Sequence, residues 1–136
     1  PGKWEYEQYE IWPSQTWNKP GFNHNYEYES FHGRTKYAEL QAGGYYASRL
    51  SVVEYLRKQK LQARVCVFRE IYDDYSVPVG VWQVRENVAH AFDTKPKEFQ
   101  NETEVKTYLK QNMKSDFDSY LPESKTFGQK RLFNYF

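Results

Sequence analysis

The sequence predicts an α+β domain: a small mixed β-sheet covered by about three helices, with a flexible C-terminal tail. Three observations lead there. Residues 4–12 (WEYEQYEIW) and 26–31 (YEYESF) alternate aromatic and polar side chains with the period of two that marks a strand. Residues 63–72 (ARVCVFREIY) form a short run that is apolar on both faces. Three other segments repeat their apolar residues every three or four positions, the helical period. A chain of 136 residues holds one core and is too short for two comfortable ones.

The first strand, 4–12, is expected to be half-exposed and to end at Pro13. Residues 13–25, rich in Pro, Asn and Gly, read as a loop with turns, and the second strand follows at 26–31. Between Gly33 and the Gly43-Gly44 pair the pattern suggests a short helix through Tyr37 to Leu40. Tyr46, Leu50, Val53 and Leu56 recur at steps of four, three and three, which predicts an amphipathic helix from Tyr45 to about Gln59. Its far face carries Ser48, Arg49, Glu54, Arg57 and Lys58.

The run 63–72 should be the central buried strand, and a right-handed crossover would set the strands on either side of the first helix parallel. Residues 77–92 admit two readings. Val77, Val79 and Val81 alternate, but Val81, Val84, Val88 and Phe92 keep helical spacing and Pro78 suits a first turn, so a helix from about Val79 to Phe92 is preferred. Asn101 ahead of Glu102 and Glu104 is a capping signal for a helix to about Met113, with Val105, Tyr108, Leu109 and Met113 on one face. Sparse hydrophobes and Pro122 then divide the chain into a folded domain, 1–121, and a tail, 122–136.

Nineteen Lys and Arg against eighteen Asp and Glu leave a formal charge of +1, so only local patches argue for DNA. Aromatic residues make up 19% of the chain, which implies a core of rings with polar ends that tolerate water. Cys66 is the only cysteine, which excludes an intrachain disulfide and a thiolate zinc cage. His24, His32 and His90 follow no metal-ligand spacing, so neither metal nor cofactor is expected. With no apolar run of membrane length, the protein reads as soluble and cytoplasmic with no membrane partner. The start at Pro1, without Met, reads as part of a longer protein.

Two constellations bear on chemistry. Arg34, Arg49, Arg69 and Arg85 lie close to core positions, with Glu54, Glu70 and Glu86 nearby in sequence. The first reading is an ion-pair network, because an isolated buried charge costs several kcal/mol. The second is a cleft that holds phosphate, as in an enzyme acting on nucleic acid, for which Glu86 joins the four arginines. Gly43-Gly44 at a helix start fits close backbone packing better than phosphate binding, since no phosphate-loop pattern surrounds it. Arg57, Lys58, Lys60 and Arg64 either meet a DNA backbone or complement a helix C-terminus. No nucleophile-base pair sits at motif spacing, and Cys66 in mid-strand should be inert. Catalytic residues therefore stay unassigned.

The chain ends in GQKRLFNYF, where Gln129, Leu132, Tyr135 and Phe136 fit one turn of tight helix, with Phe133 between them. This resembles the PCNA-interacting peptide, Gln-x-x-aliphatic-x-x-aromatic-aromatic, by which replication and repair proteins dock on the sliding clamp. The resemblance implies Gln129 in a small polar pocket, Leu132, Tyr135 and Phe136 in an apolar one, and Lys130 and Arg131 facing an acidic clamp. The alternative is a tail that packs on its own domain or on a neighbouring copy.

In the body, GRTKYAE (33–39), GGYYASRLSVVEYL (43–56) and VPVGVWQVRE (77–86) resemble the C-terminal domain of the archaeal Nre DNA-repair proteins. The resemblance covers nearly the whole chain but only about the last third of a typical member. Many members carry a cysteine-rich zinc motif in the remaining part. It implies a clamp-dependent role in repair beside the excision-repair proteins, nucleoid-associated when clamp-bound, and brings no established catalytic residues.

Overall fold

In the computed structural model, residues 4–14, 21–72 and 80–128 are described. Along them run β1 (Glu5–Pro13), β2 (Phe22–Glu29), α1 (Ala42–Gln59), β3 (Arg64–Glu70), α2 (Val81–Ala91), α3 (Glu102–Asn112) and a 3-10 helix (Phe117–Tyr120). This is the α+β class expected, a mixed sheet with helices.

The sheet order is β2-β1-β3. β1 pairs antiparallel with β2 (Tyr9 opposite Tyr26) and parallel with β3 (Tyr9 opposite Phe68). Because side chains alternate along a strand, β1 divides its residues between two cores. Tyr6 faces α1 and α2, packing with Ala38, Tyr45, Val52, Val67 and Val88. Tyr9 and Ile11 face the other side, where Phe68, Leu109, Phe117, Tyr120 and Phe127 close over them. Rings dominate both cores, and Tyr9 stacks on Phe68 with centroids 4.9 Å apart.

Several expectations change. β1, read as half-exposed, is the central strand and is buried on both faces at Tyr6, Glu7, Gln8 and Tyr9. β3, read as central, is an edge strand of intermediate burial. The reason is that Glu7 is buried with partners from distant parts of the chain, which local sequence cannot announce. The strands flanking α1 are not parallel to each other, since β2 and β3 run opposite ways beside β1. β2 begins at Phe22, inside the expected loop, and residues 37–40 form no helix, with a bend at Glu39 and Leu40.

α1 spans the expected residues but turns a different face inward. Gly44, Tyr45, Ser48, Ser51 and Val52 are buried, while Leu50 is 43% exposed. Small residues let the helix approach the sheet and α2, and their hydroxyls are satisfied: Ser48 shares a 2.7 Å hydrogen bond with the Tyr6 hydroxyl, and Ser51 donates to the Arg85 carbonyl at 2.9 Å. In α2 the helical reading of Val84, Val88 and Phe92 holds, and the chain turns into it through Gly80 at φ 69°.

At α3 the Asn101 side chain accepts from Glu104 N at 3.0 Å, and the Glu104 carboxylate accepts in return from Gln100 N at 2.9 Å. The packed chain does not end near Leu121. Phe117 and Tyr120 are buried as the domain end requires, but beyond Leu121 Ser124 is buried too and Phe127 joins the core. At the last described position, a Cβ on Gly128 would sit 2.5 Å from the Ser124 carbonyl oxygen, so only glycine fits this close turn.

Candidate functional site

Each of the four arginines proposed for phosphate meets a different glutamate. Arg34 pairs with Glu27 at 3.1 Å, Arg49 with Glu29 at 2.7 Å, Arg69 with Glu10 at 3.0 Å and Arg85 with Glu54 at 3.1 Å. Alternation on β2 puts Glu27 and Glu29 on the face beneath α1, and the two arginines reach them from the 30–41 loop and from the helix.

Arg34 and Arg49 share one cluster. The Arg34 guanidinium lies 4.9 Å over the Tyr45 ring, and the Tyr45 hydroxyl donates to Glu29 at 2.8 Å. Arg49 grips Glu29 with two bonds, Nε at 2.7 Å and Nη2 at 2.8 Å, and lies over the Trp4 ring. Burial pushes the Glu29 carboxyl up in pKa, but the Arg49 and Tyr45 hydrogen bonds outweigh it and hold it below its ordinary value.

Arg69 and Arg85 stand apart from that cluster. Arg69 holds Glu10, whose carboxyl is raised by burial that the arginine only partly offsets. A Cβ on Gly44 would lie 2.9 Å from Glu10 Oε1, so the start of α1 already faces a carboxylate of its own protein. Gly43 is likewise close-packed, its virtual Cβ 2.8 Å from Val81 Cγ1. Both glycines serve backbone approach. The four arginines form paired contacts, Arg34 and Arg49 with the β2 glutamates, Arg69 with Glu10 beside the start of α1 and Arg85 with Glu54 between α2 and α1, and Glu86 is exposed on α2.

Of the cations around the end of α1, Arg64 pairs with Glu5 at 2.8 Å, while Arg57, Lys58 and Lys60 are exposed. Cys66 is raised well above its ordinary pKa, first by burial and then by Glu7, which leaves the thiol protonated and inert.

Sequence reasoning missed the carboxylate that ties the chain's two ends together. Glu7, 1% exposed on β1, accepts from the Ser124 hydroxyl at 2.7 Å, the Tyr26 hydroxyl at 2.7 Å, Lys125 N at 2.9 Å and Thr126 N at 3.3 Å. Burial raises its pKa, but these four donors together hold it below the ordinary value. His24 pairs with Glu123 beside it. A glutamate in an aromatic alternating strand was the available signal, but three of its four partners lie 117 to 119 positions away.

Glu70 does the same at the end of β3, accepting from Ser115 N at 2.8 Å and the Ser115 hydroxyl at 2.6 Å. The motif residues Gln129, Leu132, Phe133, Tyr135 and Phe136 lie outside the described residues, one position beyond the anchored Gly128. Among the described residues, no helix is long and apolar enough to cross a membrane.

The chain is similar to proteins of two archaea. It is 44% identical over 97 residues to DNA repair protein NreA of Haloferax volcanii, which is 68% of this chain and 23% of that protein. It is 38% identical over 126 residues to DNA repair protein NreB of Archaeoglobus fulgidus, 91% of this chain and 32% of that one. NreA of the same organism is 38% identical over 102 residues, 74% of this chain and 26% of that protein. The chain thus spans about a quarter to a third of these relatives' length. No solved structure matches it. The profile described as archaeal Nre, C-terminal, matches residues 29–135, and by that match the chain belongs to the archaeal Nre family.

Proposed function

We propose that the chain is a DNA-repair domain recruited to the sliding clamp PCNA by a PCNA-interacting motif at Gln129, Leu132, Tyr135 and Phe136, with Phe133 at its side. The observation that carries the repair role is the similarity to relatives named DNA repair proteins. The motif spacing supplies the clamp.

Two features of the body support a recruited domain over a catalytic one. The arginines that an enzyme on nucleic acid would aim at phosphate are each held by a glutamate. Through Glu7 the chain is also tied down as far as Gly128, the residue before the motif in sequence. Excision-repair proteins are the neighbours such recruitment serves at the clamp. DNA passing the clamp would meet the exposed Arg57, Lys58 and Lys60, each contact adding a salt-dependent term.

The test is a clamp titration with the whole chain, with the peptide 125–136, and with Leu132, Tyr135 and Phe136 all changed to Ala. The chain and the peptide should bind alike and the triple variant should not bind while unfolding like wild type. Unchanged binding by the triple variant overturns the reading.

A further inference from the structure

The sheet has one edge that nothing described covers. Among the described residues β3 pairs only with β1. Ala63 O accepts from Glu5 N and Ile71 N donates to Ile11 O, so the odd residues of β3 turn their backbone groups to β1. The even residues between them, Cys66 and Phe68 at the centre, point their N–H and C=O groups away from the sheet.

Beside this edge lies a groove of about 740 Å³, walled on one side by β3 and on the other by α2. Val52, Val65, Val67, Val88 and Phe92 supply its apolar surface. The middle of β3, 65–68 (VCVF), holds no charge and no proline, the devices by which exposed edges are usually guarded. The opposite edge differs: at β2, Arg34 donates to the Tyr28 carbonyl at 3.2 Å.

We propose that this edge and groove receive an extended segment from the part of Nre proteins outside the matched C-terminal region, which joins the sheet as a fourth strand beside β3. The relatives supply the chain for it, since the matched region is only 23% to 32% of their length. A segment carried on the same polypeptide reaches the groove at high effective concentration, so the unguarded edge is filled within the molecule. Backbone bonds to Cys66 and Phe68 hold it, and its alternate side chains, uncharged and β-branched or aromatic, fill the groove against Val88 and Phe92. A second copy fits less well. Its β3 carries its own α2 on the same side of the sheet, and paired edges would bring both helices to one groove.

The inference rests on family membership and not on clamp binding. Its assay contains no clamp, so the two readings fail separately. Overlapping peptides that span the unmatched region of Archaeoglobus fulgidus NreB are titrated against the 136-residue chain, with amide exchange followed by NMR. One peptide, or adjacent ones, should bind and slow exchange at Cys66 and Phe68 by at least about tenfold.

Asn87→Trp and Ala91→Trp, at exposed groove positions of α2, should weaken that binding by at least about tenfold, while Glu86→Trp on the same helix leaves it unchanged. The proposal is overturned if no peptide protects those two amides, or if the groove variants bind like wild type. Concentration-dependent protection in the chain alone also overturns it, by assigning the edge to a second copy.

Discussion

Removing the Glu7 carboxylate tests how the end of the domain is held. In Glu7→Ala four donors lose their acceptor: the hydroxyls of Ser124 and Tyr26 and the backbone N–H groups of Lys125 and Thr126. Hydrogen bonds to a charged group contribute about 1.5–3 kcal/mol each, but they do not add, and the two backbone donors are only part-buried and regain water. A loss of about 3–5 kcal/mol is expected for Ala, and about half that for Gln, which keeps one acceptor oxygen.

The same group sets a pH dependence. Glu7, Glu29 and Glu70 all have folded pKa values below the ordinary 4.5. Each binds protons more weakly when folded, so its stabilisation is complete above the unfolded pKa and is lost as pH falls through 4.5 toward the folded value. Urea unfolding at neutral pH and at a series down to about pH 3 measures both effects, and Glu7→Gln should flatten part of the acid loss. The reasoning is refuted if Glu7→Ala unfolds within about 0.5 kcal/mol of wild type and amide exchange at Lys125 and Thr126 is unchanged.

Other expectations follow from the same contacts. Arg49→Ala leaves Glu29, 3% exposed in its side chain, without its bidentate partner and should cost about 2–4 kcal/mol, whereas Arg85→Ala breaks an exposed pair and should cost under about 0.5 kcal/mol in the same urea assay. Gly128→Ala forces a Cβ against the Ser124 and Leu121 carbonyls and should speed amide exchange across 124–128, yet leave clamp binding by the peptide 125–136 intact. Ala42 sits at φ 44° at the start of α1, so Ala42→Gly should raise the melting temperature, by about 0.5–1 kcal/mol in stability.

Local chemistry was legible where it is self-contained. The Asn101 cap, the glutamates after it and the apolar period of α3 announce that helix because all its determinants lie within a dozen residues. The alternation of aromatics in β1 announces a strand, but not its place in the sheet. Glu7 and Gln8 look like solvent-facing residues until Ser124 is brought to the one and the Gln41 side chain to the carbonyl of the other by the fold. On α1, counting hydrophobes put Leu50 inward, because Ser48 and Ser51 count as polar although their hydroxyls are spent on Tyr6 and Arg85.

The stretch SDFDSYLPES, with its sparse hydrophobes and Pro122, reads as the place where packing stops. Its Asp116 side chain accepts from Asp118 N at 3.1 Å to start a short turn that turns Phe117 and Tyr120 inward. For the arginines, crowding near core positions did signal pairing. Which glutamate each would take was not readable, since Glu27, Glu29, Glu10 and Glu54 lie on other elements or other turns.

The central place of β1 has a consequence for how the domain comes off the ribosome. β1 must wait for β3, some sixty residues later, to fill its second edge, and for Ser124, 117 residues later, before the face that carries Glu7, Tyr9 and Ile11 is closed. Contacts of such long sequence separation slow folding, because the loop must close before any of them forms. Until then a strand bearing Tyr6, Tyr9 and Ile11 is exposed, and α1, complete in itself at 42–59, is the element able to form ahead of it. Newly made chains should therefore stay protease-sensitive until Ser124 and Phe127 have left the ribosome and can reach β1.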